Sequence, residues 1–296
     1  MKDAEYFAHP AIGSTKLKAA ETLTARSFWA KEIDPNRKPF VPSEAMRQGS
    51  LVDCLITCPD EFDEKYVLAP IDAPKRPTST QLNAKKPSEA TIEAIQFWQD
   101  FDAMIGVREM ISSDWFINAV QITETLAKDS VIGPILAMER QSQVPHFWVD
   151  RVHGLGMKYK PDLEPADGSL LDLKKGATAK PSLFERQAYS LGYDIQIDHY
   201  SSGFVDLHDK PPTRCGFVVY EWRYPHDCAL IIVDDAYLGL GRERRQSAIQ
   251  KMREYERLAE YPSYGEVTIT RPKFTMSGSD AADVGEFDPS AEIELF

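Results

Sequence analysis

The residues most able to do chemistry begin at Pro161-Asp162 and resume, after nine intervening positions, at Asp172-Leu173-Lys174. Asp162 ends one predicted strand and the turn Ala166-Asp167-Gly168-Ser169 returns the chain. Asp172 and Lys174 stand two apart on the next strand and so share one face. Two carboxylates and a lysine thus converge at one end of a hairpin. A hard divalent cation, Mg²⁺ or Mn²⁺ in its place, takes oxygen ligands and keeps waters. Asp162, Asp172 and the backbone carbonyl of Leu173 would hold it and leave positions for water and a phosphate oxygen. The cation would acidify that water and stabilise charge on the phosphate. Lys174 would position the nucleophile, or deprotonate it if its surroundings lower its pKa. Alone, D-x-K on a strand more often marks a solvated face with an ion pair. Its company changes that reading. Gly192-Tyr193-Asp194 follows within twenty or so residues, and then come Gln196 and Tyr200, four apart and therefore on one helical face.

Several elements must position these groups. A helical pattern over 14–29, opened by a Ser/Thr cap, gives way to the proline-rich stretch 33–42. A second helix, Ser43 to Thr57, has Ser43 as its cap, turns Met46, Leu51, Val52 and Leu55 toward a core, and stops at Pro59. Residues 69–87 hold four prolines among Lys, Thr and Ser and read as an exposed loop. Helical periodicity fills 88–139, with starts at Ser88 and Ser113. Residues 144–174 alternate apolar with polar, the pattern of three antiparallel strands in a meander. A helix over 182–200, strands over 216–224 and 229–234, and a long helix from Asp235 to about Glu260 complete the chain. The expected class is α/β: a central mixed sheet flanked by helices, with a helical N-terminal layer. Residues 1–274 form one domain, helical to about 143 and catalytic over about 144–263, and 275–296 form an acidic tail.

The chain has 296 residues and is 43% hydrophobic, enough for a sizeable core, with a formal net charge of −12. Six acidic residues and no basic one lie between Thr275 and Phe296, so −12 minus −6 leaves −6 for the rest. That balance argues against non-specific coating of nucleic acid but permits a local basic groove, for which Arg242, Arg244, Arg245, Lys251, Arg253 and Arg257 are candidates. No apolar run is long enough to span a membrane and no signal core opens the chain, so the expected location is the cytoplasm, of a bacterial or phage-infected cell. Cys54, Cys58, Cys215 and Cys228 are too few for a disulfide scaffold and read as core filler. The six histidines lack ligand spacing and are expected at the surface or at strand ends. There is no G-x-S-x-G elbow, no phosphate-binding P-loop and no credible dinucleotide fingerprint.

Taken together, these motifs resemble the PD-(D/E)xK nucleases of the RecB-like branch, and among them the RecE-type exonucleases (exonuclease VIII). The resemblance extends to about residue 263. It includes Tyr6 to Ile12 with Ser14 to Leu17, then Met46 to Asp53 with Pro59 and Phe62. It continues through Phe147-Trp148, Gly154-Leu155 and Lys158 into Pro161-Asp162, Asp172-Leu173-Lys174 and Gly192 to Tyr200. It implies that Asp162 and Asp172 bind metal, that Lys174 is catalytic, and that Gln196 and Tyr200 lie near the DNA strand and the active site. Asp53 stands where related nucleases often carry a metal-binding histidine, and an aspartate there still suits Mg²⁺. Its alternative is an Asp on an exposed helix face. Arg186, with Glu185, is a further candidate for substrate contact, against plain solvent exposure.

The implied activity is Mg²⁺-dependent hydrolysis of double-stranded DNA from an end, 5′ to 3′, leaving single strands for recombination. The resemblance also implies a ring-like homo-oligomer with its basic residues turned inward, and a RecT-like single-strand annealing protein as partner. The alternatives are a catalytically weak DNA-end or partner-binding module and an endonuclease of the same superfamily. The closing residues Glu292 to Phe296 look like a short clamp-binding peptide, against the simpler reading of a solubilising tail.

Overall fold

The computed structural model describes residues 3–266, so the expectations for the acidic tail, including its clamp-type partner, lie outside the described residues. Helix α1 (Asp3–Ala8) leads into α2 (Ser14–Thr22), α3 (Ala25–Phe28) and a π-helical turn over Trp29–Ile33. The single helix expected over 14–29 is broken because the Thr24 hydroxyl accepts from Ser27 N and opens a new helix. Its start also differs, since Gly13 rather than a Ser or Thr side chain precedes it. Helix α4 (Glu44–Thr57) is capped by Ser43 as expected and buries Leu51 and Val52 completely, while Met46 is only half-buried. There follow α5 (Phe62–Lys65), β1 (Tyr66–Leu68), α6 (Ser79–Leu82), α7 (Glu89–Ile105), β2 (Glu109–Ile111), α8 (Ser113–Lys128) and α9 (Ile132–Leu136). Strands β1 and β2 pair in parallel, so α6, α7 and the exposed stretch before them form the crossover between them. Ser88 caps α7, and Ser112, one residue before the expected start, caps α8.

The second half opens with β3 (Arg140–Gln141), β4 (His146–Asp150), β5 (Leu155–Tyr159), β6 (Glu164–Pro165) and β7 (Leu170–Gly176). The expected three-stranded meander is not what forms. β4 pairs with β5 and β6 with β3, while β7 joins a separate sheet and keeps only a bridge between Leu163 and Leu171 as the remnant of the hairpin. The reason lies in β7 itself. Its first four residues, Leu170 to Leu173, are buried on both faces, and the strand pairs in parallel with β8 (Cys215–Glu221), which then pairs antiparallel with β9 (Cys228–Val233). Between β7 and β8 lie α10 (Pro181–Ser190) and α11 (Tyr193–His208), and α12 (Asp235–Tyr255) closes the chain. The one helix expected over 182–200 is split at Gly192, whose φ of 68° belongs to the left-handed region that glycine enters without penalty.

Alternation along the three-stranded sheet divides two cores. Leu171, Leu173, Val218 and Tyr220 face one side, with Leu51 of α4 and Ile122 and Leu126 of α8. Leu170, Phe217 and Val219 face the other, with Leu17 of α2, Phe184 of α10, Ile197 of α11 and Ile249 of α12. Asp172 and Lys174 share the parity of Leu170 and so turn toward α11. Helix α12 crosses α11 closely at Gly241, where a Cβ would fall 2.1 Å from the Asp194 carbonyl oxygen. Its cations are not the basic groove expected from the sequence. Arg244 binds Asp194 at 2.7 Å, Arg245 binds Asp198 at 2.7 Å and Asp150 at 3.0 Å, Arg242 faces Asp198 at 3.6 Å, and Lys251 binds Glu21 at 2.9 Å. Arg253 is bonded to the His153 carbonyl, Arg257 is exposed, and Arg242, though it faces Asp198, is exposed as well. Arg244, Arg245 and Lys251 sit opposite acidic residues on α2, α11 and β4, and intramolecular pairing engages them. No described helix is long and apolar enough to cross a membrane.

Candidate active site

A cleft of about 680 Å³ opens between the N-terminal segment and α4. One wall is α4, which presents Ser50, Asp53, Cys54 and Thr57, spaced three and four apart on one helical face. The other is the segment 6–12, tied down by Lys158. The buried Lys158 Nζ donates to the carbonyls of Tyr6 (2.6 Å), His9 (2.9 Å) and Phe7 (3.3 Å). Below it, Ile12 N–H donates to the Gly156 carbonyl and Lys158 N–H to the Ile12 carbonyl. Gln143, Asp162 and Tyr200 also line the cleft, and Lys16, Lys65 and Lys160 stand around it.

Asp162 is fixed by two donors. Leu173 N–H reaches Oδ2 at 2.7 Å, and the Gln143 amide reaches Oδ1. Asp172, 2% exposed, is paired with Lys174 and accepts from Gln196 Nε2 at 3.1 Å. The same Nε2 lies 3.2 Å from the Tyr200 hydroxyl, so the four-residue spacing does put both on one face. Lys174 also sits 4.6 Å from the Tyr193 ring centre. Burial works against its ammonium, but Asp172, then Tyr193 and Asp162, outweigh it and raise its pKa. With no cation on those carboxylates, the setting keeps Lys174 charged rather than free to abstract a proton.

The carboxylates repel one another. Burial, then Asp172 and Asp53, push the Asp162 carboxyl well above the usual range, with Lys174 opposing. Burial moves Asp53 up to about 7, with Lys174 pulling down and Asp172 pushing up. Among the described residues no three His, Cys, Asp or Glu side chains are grouped closely enough to hold a metal as they stand. The donor set nevertheless fits a hard cation: three mutually repelling carboxylates, one of which, Asp53, has a buried Oδ1 with no hydrogen-bond partner.

Sequence reasoning missed Lys18, whose Nζ donates to Gln196 Oε1 at 3.1 Å. The sequence around it, Lys16-Leu17-Lys18-Ala19-Ala20, carries no signal for this; only the fold shows that Leu17, Ala19 and Ala20 are all completely buried and that Lys18 stands among them. Gln143 was missed as well, since only long-range packing brings it to Asp162, and Tyr193 was read as part of the Gly192-Tyr193-Asp194 motif without a role beside Lys174. Arg186 is exposed on α10 and is not among the residues lining the cleft. The histidines also differ from expectation. His199 is wholly buried on α11 against the Lys158 carbonyl (2.9 Å), and burial lowers its pKa to about 4, which keeps it neutral.

A solved structure of a candidate exonuclease from Eubacterium rectale matches 96% of this chain and 98% of its own, with a TM-score of 0.60 at 14% identity. An alkaline exonuclease from Laribacter hongkongensis matches 60% of this chain and 86% of its own, with a TM-score of 0.28 at 15% identity. A phage-related exonuclease from Haemophilus somnus matches 62% and 90%, with a TM-score of 0.29 at 14% identity. The first likeness shows the fold, a mixed α/β architecture of small sheets among helices. No protein-family profile and no curated protein matches the chain.

Proposed function

We propose that this chain is a metal-dependent deoxyribonuclease that hydrolyses double-stranded DNA from an end. The observation that carries the reading is the meeting of Asp53, Asp162 and Tyr200 in the lining of one cleft, with Asp172, Lys174 and Gln196 buried directly behind them: Gln196 bonds both Tyr200 and Asp172, and Asp172 pairs with Lys174. The fold shared with a candidate exonuclease supports it. Asp162, Asp172, the Leu173 carbonyl and Asp53 would hold Mg²⁺ or Mn²⁺. Such a cation supplies Lewis-acid stabilisation of phosphate charge and acidifies the attacking water.

The chain's own side chains do the rest. Lys174, held as an ammonium, orients the water and offers a proton donor to charge developing on the phosphate. Gln196 keeps Asp172 in place, and the Leu173 N–H keeps Asp162 aimed at the cleft. Lys16, Lys65 and Lys160 stand at the rim above the acidic floor, and the strand's phosphates would compete for Lys16 with Glu256 and for Lys65 with Glu61. Attack from the 5′ end, a ring-shaped oligomer and a single-strand annealing partner belong to the same proposal.

Release of acid-soluble nucleotides from linear duplex DNA with Mg²⁺ tests it. Lys174→Ala and Asp172→Asn are expected to lower the rate by about 10²–10⁴-fold, and a closed circular plasmid is expected to stay intact. A cut circle would make the protein an endonuclease. End binding by a folded wild type without hydrolysis would make it a binding module.

A further inference from the structure

We propose that Lys18 is a positioning residue of this site: from α2 its ammonium clamps the Gln196 carboxamide in the one orientation that lets Gln196 hold Asp172 and Tyr200. The carboxamide has two unlike ends. Its oxygen accepts from Lys18 Nζ at 3.1 Å, and its NH₂ faces Asp172 Oδ2 at 3.1 Å and the Tyr200 hydroxyl at 3.2 Å. Flipped, the oxygen would face a carboxylate and the NH₂ an ammonium, and both contacts would be repulsive. Lys18 and Asp172 therefore select the same rotamer from opposite ends. Without Lys18 the amide keeps only one of the two constraints.

The two lysines are also linked through one ring, because Lys18 lies 5.4 Å and Lys174 4.6 Å from the centre of Tyr193. The chain Lys18, Gln196, Asp172, Lys174 thus runs from the first helical layer to the end of β7. A lysine is a costly residue at position 18. Lys18 is partly buried, and burial, reinforced by Lys174 and opposed by Asp172, brings its pKa down to about 7, so the ammonium form prevails below that pH and both arms of the test are run at pH 6. Its hydrogen-bond acceptor there is a neutral carboxamide rather than a carboxylate, so simple charge pairing does not account for it.

The test uses the full-length chain with Lys18→Met and Lys18→Arg. The side-chain NH₂ resonances of Gln196, assigned by their loss in Gln196→Glu, are followed by ¹H–¹⁵N NMR. The Gln196 pair is expected to shift and broaden in Lys18→Met and to return in Lys18→Arg. On linear duplex DNA, kcat is expected to fall about 10- to 100-fold in Lys18→Met, what a hydrogen bond to a charged group is worth, with KM little changed and Arg restoring most of the loss. Should Lys18→Met fail to fold, the shorter, donor-free Lys18→Leu takes its place and the same outcomes apply. Unchanged Gln196 resonances, or a full kcat in the uncharged variant, overturn the proposal. The kinetic arm rests on the nuclease reading and the spectroscopic arm does not: a wild type without hydrolysis sinks that reading alone, and the Gln196 resonances still decide the clamp.

Discussion

Asp53→Asn is expected to stabilise the metal-free protein above neutral pH. The Asp53 carboxyl ordinarily ionises near 3.8, and burial, with Asp172 adding to it against Lys174, raises this to about 7. Between those two values the folded state binds more proton than the unfolded chain. Stability therefore carries no cost from this group below about pH 4, loses ground as pH rises, and bears the whole cost above about pH 7. A displacement from 3.8 to about 7 corresponds to roughly 4 kcal/mol. Asp53 lines an open cleft, and screening by water there trims the expected effect to about 2 kcal/mol. Asparagine keeps the shape and removes the charge.

The assay is urea unfolding in EDTA at pH 5 and pH 8. The variant is expected to be more stable by about 2 kcal/mol at pH 8 and by less than that at pH 5. Adding Mg²⁺ should reverse the order, because binding to the folded state stabilises it in proportion to affinity and the wild type keeps one more carboxylate ligand. A variant equal to or less stable than wild type at pH 8 in EDTA would refute the argument that burying the Asp53 charge strains this site.

Two further outcomes follow from the scaffold. Arg245→Met leaves Asp150 and Asp198 buried without their shared cation and is expected to cost about 3–5 kcal/mol in urea unfolding, while DNA-end binding per folded molecule stays unchanged; weakened binding would return Arg245 to the surface role expected from sequence. Lys158→Met removes the donor that holds three carbonyls of residues 6–9 and is expected to cost about 2–3 kcal/mol and to open that segment to limited proteolysis near Phe7. Unaltered cleavage would show that the Ile12 backbone bonds suffice.

What could be read from the chain alone was local. The two-residue step from Asp172 to Lys174, the four-residue step from Gln196 to Tyr200, and the caps at Ser43 and Ser88 follow from strand period, helix period and the unsatisfied N–H groups at helix starts. All of these the structure keeps. The pairing of β7 was not local: its short-range pattern suits a meander, but burial on both faces hands it to β8, which lies about forty residues away. The arginines of α12 look like a nucleic-acid groove until the fold sets Asp194, Asp198 and Asp150 opposite them. The same holds for the ionisation of the site. Residue type placed Lys174, Asp53 and Lys18 in the chain, but which of them is charged depends on neighbours brought from α2, α4, β7 and α11. Through-space electrostatics and desolvation act over a few ångströms, and tertiary packing alone decides which residues those few ångströms contain.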